Sequence, residues 1–215
     1  MDAARFIVLE GVEGSGKSTQ IRLLDAWLDS LGIEHVMTRE PGGTRVGEEI
    51  RSVLLHGDHE SMPAETELLL MLAARAAFVR EVVRPALETG RTVLADRFDL
   101  STFAYQGYGR GLDLQQVRTL NRFATGGLVP DLVLVLDLPA AEGRRRQARE
   151  GKTLDRIERA GEGFLERVRE GYRELADSEG NARMVDARGT PEDVHARLRA
   201  LLESSFPETF RQSRV

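Results

Sequence analysis

The sequence predicts an α/β protein with a five-stranded parallel sheet, helices on both faces and a mobile lid segment. Three observations predict it. Strand-type and helix-type segments alternate along the 215 residues. The strongest strand candidates, RFIVLE at 5–10 and DLVLVLDL at 131–138, are nearly continuous apolar runs, as expected of strands buried on both faces. A glycine-rich turn joins the first strand to the first helix.

That turn is the most informative stretch. Residues 11–18, GVEGSGKS, fit the pattern G-x-x-x-x-G-K-S between a strand and a helix, the context the pattern requires. Its glycines permit backbone angles closed to other residues, so amide N–H groups can converge on an anion beside the positive end of the helix. The phosphate-binding set is Gly11, Val12, Glu13, Gly14, Ser15, Gly16, Lys17, Ser18 and Thr19. Lys17 can reach the outer phosphates and the Ser18 hydroxyl can hold magnesium. Only two of the 30 basic residues are lysine, and one stands here, where a compact ammonium suits a nest of amides.

Composition sets the limits. The length fits one large domain, 1–205, followed by a tail, 206–215, with no evident role. A net charge of −5 gives no electrostatic case for nucleic acid as a partner. Cysteine is absent, which excludes disulfides and fits a reducing cytoplasm. The strand starts within a few residues of Met1, which argues against a signal peptide. No apolar run approaches the ~20 residues of a membrane helix, so no membrane partner is expected.

The remaining elements follow in order. From Ser18 an amphipathic helix buries Ile21, Leu23, Leu24, Trp27, Leu28 and Leu31. EHVMTR at 34–39 is the second strand, and EPGGT at 40–44 is a loop by its turn residues. A helix over 46–55 directs Val46, Ile50, Val53 and Leu54 inward, and a polar connection spans 57–63. A long helical region over 64–88 carries an apolar stripe interrupted by Arg75. TVLAD at 92–96 is the third strand, followed by a short helix over 99–105 that the glycines of QGYGRG close. Asp113 caps a helix to Thr125, and Gly126 and Gly127 stop it. The fourth strand, 131–138, should lie inside the sheet. Pro139 opens the next helix. A further helix spans 164–176, the fifth strand 182–185, and Thr190 caps a last helix.

Chemistry gathers at strand ends. Asp96 closes an apolar strand beside the phosphate loop, where an acid can hold the water shell of magnesium. Arg39 and Arg97 also stand at carboxyl ends of strands, and Arg75 needs a partner if buried. Several arginines facing one cleft imply a second, anionic substrate. A phosphate acceptor is already ionised near neutral pH and needs no general base, so the barrier is electrostatic repulsion, which arginines and magnesium relieve. The segment 144–158, RRRQAREGKTLDRIE, has the charge and central glycine of a lid that excludes water.

The blocks LEGVEGSGKSTQ, TREPGGT, GEEIR, DRFDLSTFAYQGYGRG, PDLVLVLDLP and LDRIE together resemble bacterial thymidylate kinases, over residues 5–202 and in the family's order. The resemblance implies a three-layer P-loop NTPase fold and transfer of the γ-phosphoryl group of ATP to dTMP with Mg²⁺, in a cytoplasmic homodimer. It implies that Glu13 binds the sugar 3′-OH, that Arg39 and Arg97 hold the acceptor phosphate, and that Arg75 bonds the thymine ring. Arg51 would line the same pocket, with Ser101, Thr102 and Gln106 as base and sugar contacts. Tyr105 would occupy the space of a ribose 2′-OH. Because position 13 is Glu, the lid arginines Arg146 and Arg149 would complete the site, with Arg149 favoured for the transition state. Met71 departs from the family's frequent aromatic residue. A thioether keeps a favourable ring contact without stacking, so somewhat weaker base binding is expected. Two other readings fit the phosphate loop: another P-loop nucleotide or deoxynucleoside kinase, and a non-catalytic ATP-binding regulatory module. Intact Lys17, Ser18, Asp96 and Arg97 argue against the module.

Overall fold

The computed structural model describes residues 4–56, 62–149, 151 and 155–210. The connection expected at 57–63 therefore lies mostly outside the described residues, as do 150 and 152–154 of the expected lid and 211–215 of the tail.

Five parallel strands form one sheet in the order β2-β3-β1-β4-β5. They are β1 (Phe6–Gly11), β2 (His35–Arg39), β3 (Thr92–Asp96), β4 (Leu132–Asp137) and β5 (Ala182–Asp186). The apolar run of β1 is divided between the two faces, as period two requires. Phe6 and Val8 join one core with Phe78, Phe98, Val133 and Tyr172. Ile7 and Leu9 join the other with Leu24, Trp27, Leu134 and Leu198. β4 is an interior strand, as its composition suggests.

The helices cover both faces. They are α1 (Lys17–Ser30), α2 (Arg45–His56), α3 (Ala64–Phe78), α4 (Arg84–Glu88), α5 (Asp99–Thr102), α6 (Leu114–Thr125), α7 (Ala140–Arg149), α8 (Glu162–Ser178), α9 (Pro191–Ser205) and α10 (Pro207–Phe210). Two π-helical stretches, 79–83 and 103–109, continue α3 and α5. The first keeps the region 64–88 continuous, and the second extends the short helix after Asp99 by several residues. Wider turns of this kind often occur at functional sites. On α2 the inward set is Leu54 and Leu55, while Val46 and Val53 are exposed. Of the tail, 207–210 form α10, and Phe210 is buried and stacks on Trp27 with ring centroids 5.8 Å apart.

All five carboxyl ends open on one edge. The chain leaves β1 for strands on one side and later returns to the other, so the switch of direction falls beside β1. Ligands of such sheets bind at that point. It is where the glycine loop stands.

Candidate active site

β1 ends at Gly11, and α1 begins at Lys17 directly after the glycine loop. Gly16 takes φ +97°, a left-handed angle that lets the loop turn into the helix without a side-chain cap on the first N–H groups. Those donors and the helix dipole make the helix start an anion site. Lys17 folds back over the loop, its Nζ donating to Gly11 O at 2.8 Å and Val12 O at 3.0 Å. Burial, and then the neighbouring Arg97 charge, push its pKa down to about 8. α7 approaches the loop backbone to backbone. A Cβ on Gly14 would lie 2.3 Å from Gly143 O, and one on Gly143 would lie 2.4 Å from Glu13 O.

β3 supplies the next pair. Asp96 borders the cleft, and its Oδ1 is buried without a hydrogen-bond partner. Arg97 has φ 74°, rare for a residue with a Cβ. The turn that follows is held by Glu10, a fully buried acid at the end of the β1 run. Glu10 accepts from the Phe98 and Ser101 amides at 2.8 and 3.1 Å and from Tyr172 OH at 2.8 Å. The Arg97 guanidinium donates to Glu13 at 2.8 Å, Ser101 Oγ at 3.0 Å and Tyr172 OH at 3.1 Å. Tyr105 OH donates to Glu13 at 2.7 Å. Burial alone would raise the Glu13 pKa, but Arg97, Lys17 and the Tyr105 hydroxyl together hold it below the usual carboxylate range.

Arg75 is fully enclosed, and its partner is Glu40. Its Nε and Nη2 donate to Glu40 Oε2 at 2.8 and 2.6 Å, and Nη2 also reaches Phe98 O at 2.7 Å. Nη1 donates to Thr102 Oγ1 at 2.8 Å and Asn121 Oδ1 at 2.9 Å. All the donors of the guanidinium fork are thus directed by protein acceptors, which fixes its plane. Thr102, with its oxygen accepting from Arg75, still has its own hydroxyl proton to donate.

These side chains define two connected spaces. A cleft of about 480 Å³ runs from Gly14–Gln20 to Ala187 and the start of α9. A smaller cavity of about 90 Å³ lies between α3 and the stretch 98–106. Glu13, Glu40, Arg51, Arg97 and Asp155 border both, so the spaces meet at a shared wall. The arrangement can hold one anion on the glycine loop and present a second to it across Arg97.

The expected site residues are placed as follows. Lys17, Ser18, Asp96, Arg39 and Arg146 border the cleft. Met71, Arg75, Ser101, Thr102, Tyr105 and Gln106 border the cavity, and Glu13, Arg51 and Arg97 border both. Arg51 donates to Pro41 O at 2.9 Å, and Arg39, half exposed, pairs with Glu48 at 3.0 Å. Arg146, at 30 % side-chain exposure, is held by Glu142 and Ala187 O. Arg149 is exposed at the end of α7 and borders neither space. Sequence reasoning missed Glu10, Asn121, Tyr172 and Asp155. Glu10 had a legible signal, an acid closing a run buried on both faces. Tyr172 on an apolar helix face reads as core, and nothing local marks Asn121.

The family model described as "Thymidylate kinase" matches residues 9–198. A thymidylate kinase of Pelotomaculum thermopropionicum is 50 % identical over 192 residues, covering 89 % of this chain and 89 % of the relative. One of Kosmotoga olearia is 49 % identical over 194 residues, covering 90 % and 92 %. The crystal structure of thymidylate kinase from Ehrlichia chaffeensis superposes with a TM-score of 0.77 at 29 % identity, covering 93 % of this chain and 99 % of that one.

Proposed function

The chain belongs to the thymidylate kinase family, and on that footing we propose how its residues carry the family's reaction. It is a dTMP kinase with ATP as phosphoryl donor. ATP lies along the larger cleft, its phosphates on residues 11–19 and its base toward Ala187 and Val194. The smaller cavity takes dTMP, with Met71 and Phe98 against the ring and the Thr102 hydroxyl, held in place by Arg75, at its polar edge. The observation that carries this reading is the shared wall, because it brings the two phosphate ends together at Arg97, with Glu13 beside it holding the guanidinium.

The chemistry follows from charge. A phosphate oxygen of dTMP attacks the γ-phosphorus, the bond to the β–γ bridging oxygen breaks, and ADP carries the electrons away. The attacking oxygen is ionised, so the task of the site is to draw two anions together. Lys17 neutralises the donor phosphates from beneath, and Arg97 meets the acceptor phosphate at the wall. Arg146 is our assignment for the lid arginine, because it borders the cleft and Arg149 does not. The Ser18 hydroxyl and the unpartnered Asp96 Oδ1 fit a magnesium ion and its water shell. When bound, Mg²⁺ neutralises charge on the β and γ phosphates. Tyr105, fixed by Glu13, fills the space a ribose 2′-OH would need.

Exposed apolar side chains on three neighbouring helices suit a homodimer. They are Val46 and Val53 on α2, Leu69 on α3, and Leu120 and Phe123 on α6, the last 86 % exposed. Phe78 is wholly buried and belongs to the core rather than to such a surface. Its charged nucleotide substrates, which do not cross membranes unaided, favour a cytoplasmic enzyme. No described helix is long and apolar enough to cross a membrane.

A coupled ADP-release assay across dTMP, dUMP, UMP, CMP, AMP and thymidine tests the reading. Preference for dTMP is expected, and a flat profile would overturn it.

A further inference from the structure

Glu67 stands in the first turn of α3 and is wholly buried, yet it borders neither the cleft nor the cavity. Its Oε1 accepts from Gln106 Nε2 at 2.8 Å and Arg110 Nε at 3.1 Å. Its Oε2 accepts from Arg110 Nη2 at 3.0 Å and Arg156 Nη2 at 2.5 Å. Arg156 also donates from Nε to Leu54 O at 2.9 Å. One carboxylate therefore ties α2 and α3 to the stretch ending at Arg110 and to the residues after α7. A buried carboxylate in this setting is tolerated only because charged donors surround it.

The partners of Glu67 are not scattered. Gln106 borders the acceptor cavity, and Asp155 and Ile157, on either side of Arg156, border it too. On α3 itself, Glu67, Met71 and Arg75 follow at four-residue steps, so they share one helix face. Two of these three line the cavity, and the third holds the side chains that close it from the other directions.

We propose that Glu67, with Arg156 as its counter-ion, is a positioning residue for the acceptor: it fixes Gln106 and the 155–157 stretch as the cavity wall against which dTMP lies. The proposal rests on dTMP occupying that cavity. Glu67 touches no substrate atom and acts only through the side chains it holds. A purely structural ion cluster would look similar in a static picture, but the two roles separate in kinetics. Loss of a fold-stabilising cluster lowers the active fraction and hence the apparent kcat, with KM unchanged. Loss of a positioning group loosens the acceptor site and moves the KM for dTMP while sparing that for ATP.

The test compares Glu67→Gln, Arg156→Met, the double variant and a Thr102→Val control that removes one cavity hydroxyl at constant shape. Truncating one partner of a buried charged pair is costly, so the KM for dTMP should rise about tenfold or more in Glu67→Gln and Arg156→Met. The KM for ATP should stay within about twofold, and the double variant should be no worse than the poorer single one, as expected of coupled residues. If Glu67→Gln does not fold, Arg156→Met carries the test, since it leaves Gln106 and Arg110 on Glu67. A raised dTMP KM in Thr102→Val with unchanged KM in both Glu67→Gln and Arg156→Met would overturn the positioning role alone. An unchanged KM in Thr102→Val would instead overturn the placement of dTMP in the cavity.

Discussion

Gly143 of α7 rests on Glu13 of the phosphate loop so closely that a Cβ added to Gly143 would lie 2.4 Å from the Glu13 carbonyl oxygen. The obstacle is backbone, which cannot swing aside as a side chain can. Gly143→Ala should therefore displace the loop or push α7 away, and either change disturbs the donor site. The expected result is a KM for ATP raised about tenfold, since a misplacement on the order of 1 Å has effects of this size or larger. Steady-state kinetics checks it, with a melting curve to confirm that the variant folds.

Lys17 gives a pH dependence with a definite sign. Burial and Arg97 lower its pKa to about 8, so its ammonium is charged below that pH and lost above it. The charged form is the one that binds phosphate. kcat/KM for ATP should therefore fall as pH rises through about 8, while kcat at saturating ATP falls at higher pH, because bound phosphates favour the ammonium. A profile that stays flat to pH 10 would contradict the role given to Lys17.

The two lid arginines should differ. Arg146 borders the cleft and is held at Glu142, one turn back on α7, whereas Arg149 points to solvent. Arg146→Ala should lower kcat by about a hundredfold or more, in the range seen for loss of one charge-stabilising donor. Arg149→Ala should change kcat by less than about threefold. The reverse pattern in single-turnover measurements would restore Arg149 as the transition-state arginine.

The C-terminal helix contributes to stability. Phe210 is 1 % exposed and stacks on Trp27, and Arg5 joins the same corner through Glu208 at 2.7 Å. Phe210→Ala should cost about 3 kcal/mol, the usual scale for a buried Phe truncated to Ala. At about 2–4 °C per kcal/mol for a chain of this size, Tm should fall by about 6–12 °C. Catalytic constants measured below the transition should be unchanged.

Much of this was legible in the residues. The inner strands β1, β3 and β4 could be read because their apolar runs are buried on both faces, so even short segments stand out from amphipathic helices. The phosphate loop was legible because its chemistry is local: glycines, lysine and serine at fixed spacing. Arg75 betrayed itself by breaking an apolar stripe, but its partner Glu40 lies 35 residues away and carried no mark. Glu67 was missed for the same reason, since its donors are 39, 43 and 89 residues distant. Val46 and Val53 misled because period alone finds an apolar face without showing whether that face meets the sheet or lies outside. The tail was illegible because four residues of helix make no periodic pattern, and Phe210 packs on Trp27, far back in the chain.

Phosphoryl transfer at this site needs the two nucleotides to lie end to end across Arg97. A single molecule joining adenosine to thymidine through a bridge of phosphates, used as an inhibitor in steady-state assays, examines that arrangement directly. It should compete with both ATP and dTMP, and bind more tightly than either substrate. Competition with one substrate alone, with the other still able to bind, would contradict the account.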